Sequence, residues 1–350
     1  MKKVFNFNFR GREIVVEHGE MAKQAHGAVL VRYGDTVILS TAVVAPTANL
    51  LSDFFPLMVL YNEKLYSVGK IPGGFIKREG RPTDAATLAA RMIDRPLRPL
   101  FPEDFRNEVQ VVNTVLSVDK DNSPELTALL GSSLAVSISK IPFNGPIAAV
   151  KVGRVNGEFV INPTVAELEV SDIDLTVAGT KEAINMVEAG AREVSEQDML
   201  DALMFGHEAI KELISFEEEI IKEIGVEKME YPKLEIDDNL KQEVDEFCRD
   251  RIDTSLRIKD KLEKYAAIDK IKEDLTNKYK ELYEDVMKPN DYQELITKVL
   301  LVFNEIEYEI FRNIVVKEHT RADGRKMDEI RPLSTAIDIL PRTHGSAMFT

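Results

Sequence analysis

Apolar and polar residues alternate through Phe5-Asn6-Phe7-Asn8-Phe9, which places three rings on one face of a first strand. Val29–Tyr33 and Thr36–Val44 flank Gly34-Asp35, a dipeptide suited to a tight hairpin turn. A second hairpin is expected at Val155-Asn156-Gly157-Glu158, between Ile147–Val152 and Phe159–Ile161. Val109–Val118 and Asp172–Ala178 are further strands. Helices interrupt them at about Thr83–Arg95, with Thr83 as N-cap and Pro96 as terminator, and at about Pro124–Ser139, with Ser123 ahead of a proline in the first helical position. Hairpin strands mixed with amphipathic helices predict α+β layers, not a doubly wound parallel sheet.

From Lys181 the period changes. Ile184, Val187, Met199, Leu203, Ile210 and Ile214 recur at helical spacing and strand signals fade, so the chain is expected to be helical from there. Residues 235–316 read as a helical domain poor in glycine and broken at Lys288-Pro289-Asn290. Beyond it, Arg321-Ala322-Asp323-Gly324-Arg325 and Thr343-His344-Gly345-Ser346-Ala347-Met348 echo Gly11-Arg12 and Gln24-Ala25-His26-Gly27-Ala28-Val29. A glycine-arginine pair, then His-Gly and small apolar residues entering a strand, occurs twice, which predicts the opening of a second copy of the first domain.

Composition narrows the class. The 350 residues are 44% hydrophobic and 30% charged, a globular balance, and no apolar run approaches the ~20 residues of a membrane helix. A single cysteine, Cys248, allows no internal disulfide, and five scattered histidines form no H-x-x-x-H pair, which fits a reducing cytoplasm and argues against zinc. The net charge of −15 would discourage a nucleic-acid partner if it were evenly spread. It is not: residues 211–310 hold 28 acidic and 17 basic residues, and the rest of the chain is nearly neutral. That acidic stretch is read as solvated helix faces.

The most informative segment is Pro72-Gly73-Gly74-Phe75-Ile76-Lys77-Arg78-Glu79-Gly80-Arg81-Pro82, followed by Arg91-Met92-Ile93-Asp94-Arg95-Pro96-Leu97-Arg98. Glycines and prolines bound an exposed loop that offers one ring, one aliphatic side chain and three cations. Arg91 and Arg95 are four apart and share a helix face. Cations for phosphates beside a ring for stacking suit single-stranded nucleic acid. The bland alternative is a surface loop whose arginines pair with Glu79, Asp84 and Asp94. Other apparent motifs fail. Gly69-Lys70-Ile71-Pro72-Gly73-Gly74 lacks P-loop spacing. Asp119, Asp121 and Ser123 open like a calcium loop, but Pro124 stands in place of its glycine and Leu130 in place of its glutamate. His26 and His344 are read as structural, and Cys248 as inert.

The loop at 73–82, the run Arg91–Pro102 and the Asp323-Gly-Arg…Asp328-Glu-Ile-Arg-Pro…Leu340-Pro-Arg-Thr-His-Gly-Ser series closely resemble the bacterial polynucleotide phosphorylase family over essentially the whole chain. The resemblance implies an RNase PH-like (ribosomal protein S5 domain 2-like) core at 1–215, an all-α domain at 216–316 and the incomplete start of a second core at 317–350. It implies 3′–5′ phosphorolysis of single-stranded RNA in mRNA turnover, with inorganic phosphate as co-substrate, nucleoside diphosphates as products and Mg²⁺ or Mn²⁺ assisting. A cytoplasmic homotrimer is implied as well, with single-stranded RNA and RNA-degradation complex proteins as partners and no membrane. The family's constriction loop falls on Phe75, Ile76, Lys77 and Arg78, with Ile76 departing from a second aromatic; Arg91 and Arg95 match arginines near the RNA path. Where the family's active core has a serine-rich loop, two aspartates and a lysine, this chain has Ser123-Pro124-Glu125, Leu168, Asp174 and Thr176. The resemblance therefore implies no catalytic or metal-binding residues in this span, the working set lying beyond Thr350. The alternative is a non-catalytic RNA-binding scaffold subunit of an exosome-like ring.

Overall fold

The computed structural model describes residues 2–52, 54–74 and 80–350. The first strand, β1 (Lys3–Phe9), turns Phe5, Phe7 and Phe9 inward and Val4, Asn6 and Asn8 outward, as the alternation requires. Next come β2 (Arg12–His18), β3 (Gly27–Tyr33) and β4 (Thr36–Ala48), each antiparallel to its predecessor. β3 and β4 turn at Gly34, whose φ of 57° suits glycine. β5 (Leu57–Glu63) is parallel to β6 (Asn107–Ser117), a pairing that needs a crossover, and α1 (Asp84–Leu97) supplies it. Thr83 caps α1 by accepting the Ala86 N–H. The sheet runs β1-β2-β3-β4-β6-β5.

Next comes α2 (Pro124–Ile138), capped by Ser123, and every residue from Leu126 to Ile138 is buried. It packs on β3, β4 and β6 and, on its other side, on β7 (Ala148–Val155) of a second sheet. A side chain at Gly27 would collide with the backbone carbonyl of Ala135, so glycine there lets α2 lie directly on β3. The second sheet adds β8 (Glu158–Ile161), β9 (Ile173–Gly179) and β10 (Ile184–Ala191) in the order β10-β9-β7-β8, with the short α3 (Val165–Val170) between β8 and β9. The β7–β8 turn has φ of 51° at Asn156 and 84° at Gly157, the two positive angles of a primed hairpin turn. α4 (Glu196–Ile224) lies across β7 and β9.

Two expectations are corrected. The stretch after Lys181 opens with a strand, not a helix: Ile184 and Met186 face inward on β10, a bulge falls between them, and most later residues on this edge are exposed. With only two inward apolar residues, the period-2 signal is too short to read. Helix starts only at Glu196, where the Ser195 side chain accepts the Asp198 N–H. Pro96 does not end α1 either; the helix passes it to Leu97 and tightens into a 3₁₀ turn over Arg98–Leu100, where a proline near a helix end costs little hydrogen bonding.

Residues 235–350 form a second compact unit, separate from residues 1–234. α5 (Asp238–Leu256), α6 (Lys261–Tyr283) and α7 (Pro289–Glu318) share a core that includes Val244, Cys248, Ile252, Leu275, Phe303 and Ile310. The Cys248 thiol is fully buried, and burial pushes it up to about 11, which fits an inert residue. Arg249 bridges Asp245 and Glu309, Arg257 bridges Asp253 and Glu318, and Lys272 meets Glu307. Thr335–Ile337 (β11) and Ala347–Phe349 (β12) then pair antiparallel, as β2 and β3 do, with a His-Gly step entering the second strand of each pair. No helix among the described residues is long and apolar enough to cross a membrane.

Glu217 on α4 is fully buried near Ser133, with no formed hydrogen bond to either carboxyl oxygen. Burial raises it well above the usual 4.5, and the Ser133 hydroxyl offsets this only in part. The native state thus holds the proton more tightly than the unfolded chain does. Stability from this group is full below pH 4.5 and is lost as pH rises through the native value. Glu217→Gln should therefore stabilise the protein at neutral pH, by up to about 1.4 kcal/mol for each pH unit above the unfolded value until the native value is reached. Urea midpoints of variant and parent should converge toward the acid end of that range and separate at neutral pH.

Candidate nucleic-acid interface

Phe75, Ile76, Lys77 and Arg78 lie outside the described residues. Residues from Tyr61–Lys70 and Gly80–Ala86 line a cleft of about 580 Å³ that includes Lys70 and Arg81. α1 leads away from this cleft. Its buried stripe is Ala86, Ala89, Ile93 and Leu97, so Arg91 and Arg95 fall on the opposite, exposed face, one turn apart. Arg91 has no ion pair or hydrogen-bond partner among the described residues. Arg95 is paired: its Nη1 is 3.1 Å from Glu188 Oε2 on β10. Arg98 is fully engaged in the fold. It forks onto Asp94 and donates to the backbone oxygens of Phe55 and Leu57, tying the end of α1 to the start of β5.

The four positions expected to have lost catalytic chemistry each have a structural partner or place. Ser123 caps α2 and donates to Glu125. Leu168 sits on α3 and offers no donor atom. Asp174 is exposed on β9, with its Oδ1 3.0 Å from Lys151 Nζ. Thr176 is buried and stands between Lys151 and Glu188, its partners in the ladder on either side. Nearby, Arg154 pairs with both Asp172 and Asp198, and the hydrogen bonds from its guanidinium hold the Asp172 carboxyl below the usual carboxylate range.

These donors do not fit a divalent cation. Its one matching carboxylate, Asp174, already carries an ammonium, and Leu168 cannot ligate. Sequence reasoning missed Lys151 and Glu188 as charged neighbours on this face. Only strand register brings them together, since cross-strand partners project on one side of a sheet.

The motifs set aside as structural have matching geometry. His26 Nδ1 accepts the Val44 N–H at 3.0 Å, and burial pushes its pKa down, as suits a neutral ring fixed in the fold. Asp119 accepts from the Asp121 N–H and from the Asn122 amide, which closes the β6–α2 loop on itself.

Comparison with known proteins gives these features a context. Residues 10–142 match the model of the 3′ exoribonuclease family, domain 1; residues 145–209 match domain 2 of that family; residues 239–326 match the polyribonucleotide nucleotidyltransferase RNA binding domain. Along its whole length the chain is 53% identical to the polyribonucleotide nucleotidyltransferase of Enterococcus faecalis, covering 49% of that protein. The proteins of the same name from Geobacillus kaustophilus and Anoxybacillus flavithermus are 55% and 54% identical, with 47% and 49% of their lengths covered. The chain thus spans about half the length of the curated relatives it matches. An RNase PH-type α+β fold, the three family matches in order and overall identity above one half across the chain agree: the chain belongs to the polyribonucleotide nucleotidyltransferase family.

Proposed function

We propose that the protein to which this chain belongs degrades single-stranded RNA from its 3′ end. Inorganic phosphate attacks the terminal phosphodiester and a nucleoside diphosphate leaves. In this reading residues 1–215 form a first RNase PH-like core that no longer performs chemistry, residues 216–316 a helical domain, and residues 317–350 the opening of a second core. The repeated strand pair β11–β12 supports that last assignment. This half guides RNA through Phe75, Ile76, Lys77, Arg78, Arg91 and Arg95 and contributes to a homotrimer in the cytoplasm, where the enzyme acts in mRNA turnover alongside RNA-degradation complex proteins. Mg²⁺ or Mn²⁺ and the phosphate co-substrate belong to residues outside this span.

One observation carries the reading: on the face where the family's active core holds its carboxylates, the single surviving one, Asp174, is neutralised by Lys151. A self-neutralised face lacks the charge to organise a metal, whereas Arg91 on the neighbouring helix, unpaired among the described residues, is available to a phosphate backbone. Stabilising the charge of a transferring phosphoryl group needs cations aimed at that group, not cations bound to carboxylates of their own.

The intact protein incubated with oligo(A) should release nucleoside diphosphates only when phosphate is supplied; monophosphates formed without phosphate would overturn the phosphorolytic assignment. Asp174→Ala should leave turnover of the intact protein within about twofold of the parent, because the exposed Asp174–Lys151 pair contributes little to stability. A collapse of rate in a folded variant would show that this core works. Phe75→Ala combined with Arg78→Ala should weaken oligo(A) binding by about tenfold or more, since a stacked base alone contributes ~1–3 kcal/mol. The oligomeric state, read by light scattering, should not change.

A further inference from the structure

The α1 arginines are not equivalent. Among the described residues Arg91 is unpaired, while Arg95 one turn later is held by Glu188. Two contacts from β10 fix this arrangement. Asn185 Nδ2 donates to the Pro96 carbonyl at 3.0 Å, docking the end of α1 on the edge strand, and Glu188 then meets Arg95 at 3.1 Å. The pair is open to water, with 47% of the arginine and 66% of the glutamate side chain exposed.

Glu188 lies on the same sheet face as the decayed site. It is opposite Thr176 on β9, Thr176 is opposite Lys151 on β7, and Lys151 reaches diagonally to Asp174. Two ion pairs, Arg95–Glu188 and Lys151–Asp174, thus flank one buried threonine, and their charges cancel.

We propose that Glu188 is a built-in competitor of RNA for Arg95, a positioning residue that sets how firmly this half holds the strand. The proposal rests on the reading above that the exposed arginines of α1 face RNA. A phosphate reaching Arg95 must displace the Glu188 carboxylate. Exposed ion pairs of this kind are weak, so displacement is easy, yet the released carboxylate remains next to the bound strand and repels it. Arg91 takes a phosphate without this competition. The result is a firm contact beside an exchangeable one, an arrangement suited to a strand that must advance and not stay parked.

The test is a double-mutant cycle on the intact protein, with fluorescent oligo(A) as probe and affinity followed against salt. Arg95→Gln should weaken binding. Glu188→Gln should tighten it by two- to fivefold at low salt. It should also steepen the dependence of log affinity on log salt by about 0.7, the increment expected for one newly available cation on a single strand. In the Arg95→Gln background, Glu188→Gln should have less than half its effect.

Equal tightening in both backgrounds would reduce Glu188 to a diffuse charge and overturn the competitor role. So would unchanged or weaker binding by Glu188→Gln while Arg95→Gln still weakens it, in which case the RNA-guiding reading of α1 stands. If Arg95→Gln leaves affinity untouched, the RNA-guiding reading itself fails at Arg95 and the competitor role goes with it.

Discussion

The arrangement of the first unit depends on α2 being buried along its whole length between two sheets. A helix in that position needs small residues where strands cross it and partners for its buried polar atoms, which Thr127, Ser132 and Ser133 find and Ser137 Oγ does not. Gly131 approaches Ser40 and Val31 of the first sheet, and Gly27 clears the way for the helix backbone near Ala135. Ser40 and Ser132 both donate to Asn113, so β4, β6 and α2 meet at one buried amide. Ser133 accepts the Ile147 N–H just before β7. Buried hydroxyls without partners would each cost about 1–3 kcal/mol, so this network specifies one spacing of the two sheets. That spacing brings the β10 edge to the end of α1, where Asn185 and Glu188 meet Pro96 and Arg95.

The second sheet shows how carboxylates near its exposed face are balanced by cations. Asp174 has Lys151, Asp172 and Asp198 share Arg154, and Glu188 has Arg95. Each pair is exposed or half-exposed and contributes little to stability, so none is needed for folding. Together four carboxylates face three cations, so little net charge remains. These counter-ion pairings could be seen only in three dimensions.

The overall acidity of the chain has a similar resolution. Much of the negative charge between residues 211 and 310 lies on α5, α6 and α7, where Arg249, Arg251, Arg257, Lys272 and Lys278 bridge from helix to helix. Charge held in such bridges is screened within about 10 Å at moderate salt and does not oppose a polyanion on another part of the surface. Net charge by itself therefore does not exclude a polyanionic partner, because the charge is unevenly distributed along the chain.

Much of this protein was legible from its residues. The Phe5-Phe7-Phe9 alternation, the Asn156-Gly157 turn, the Thr83 and Ser123 caps and the break at Pro289 are local signals whose cause lies within a few residues, and the structure contains each of them. The basic character of the α1 face was readable too, because residues four apart share a helix face whatever packs behind it. The edge strand β10 was not, since two inward apolar residues and a bulge give no period to detect. Nor was the pairing of Arg95 with Glu188 or of Asp174 with Lys151, side chains 93 and 23 residues apart in the chain. Local sequence set the elements and their chemistry; the register between strands and the docking of a helix on a sheet edge decided which cations were already occupied, because pairing energy depends on distance in space and not on separation along the chain.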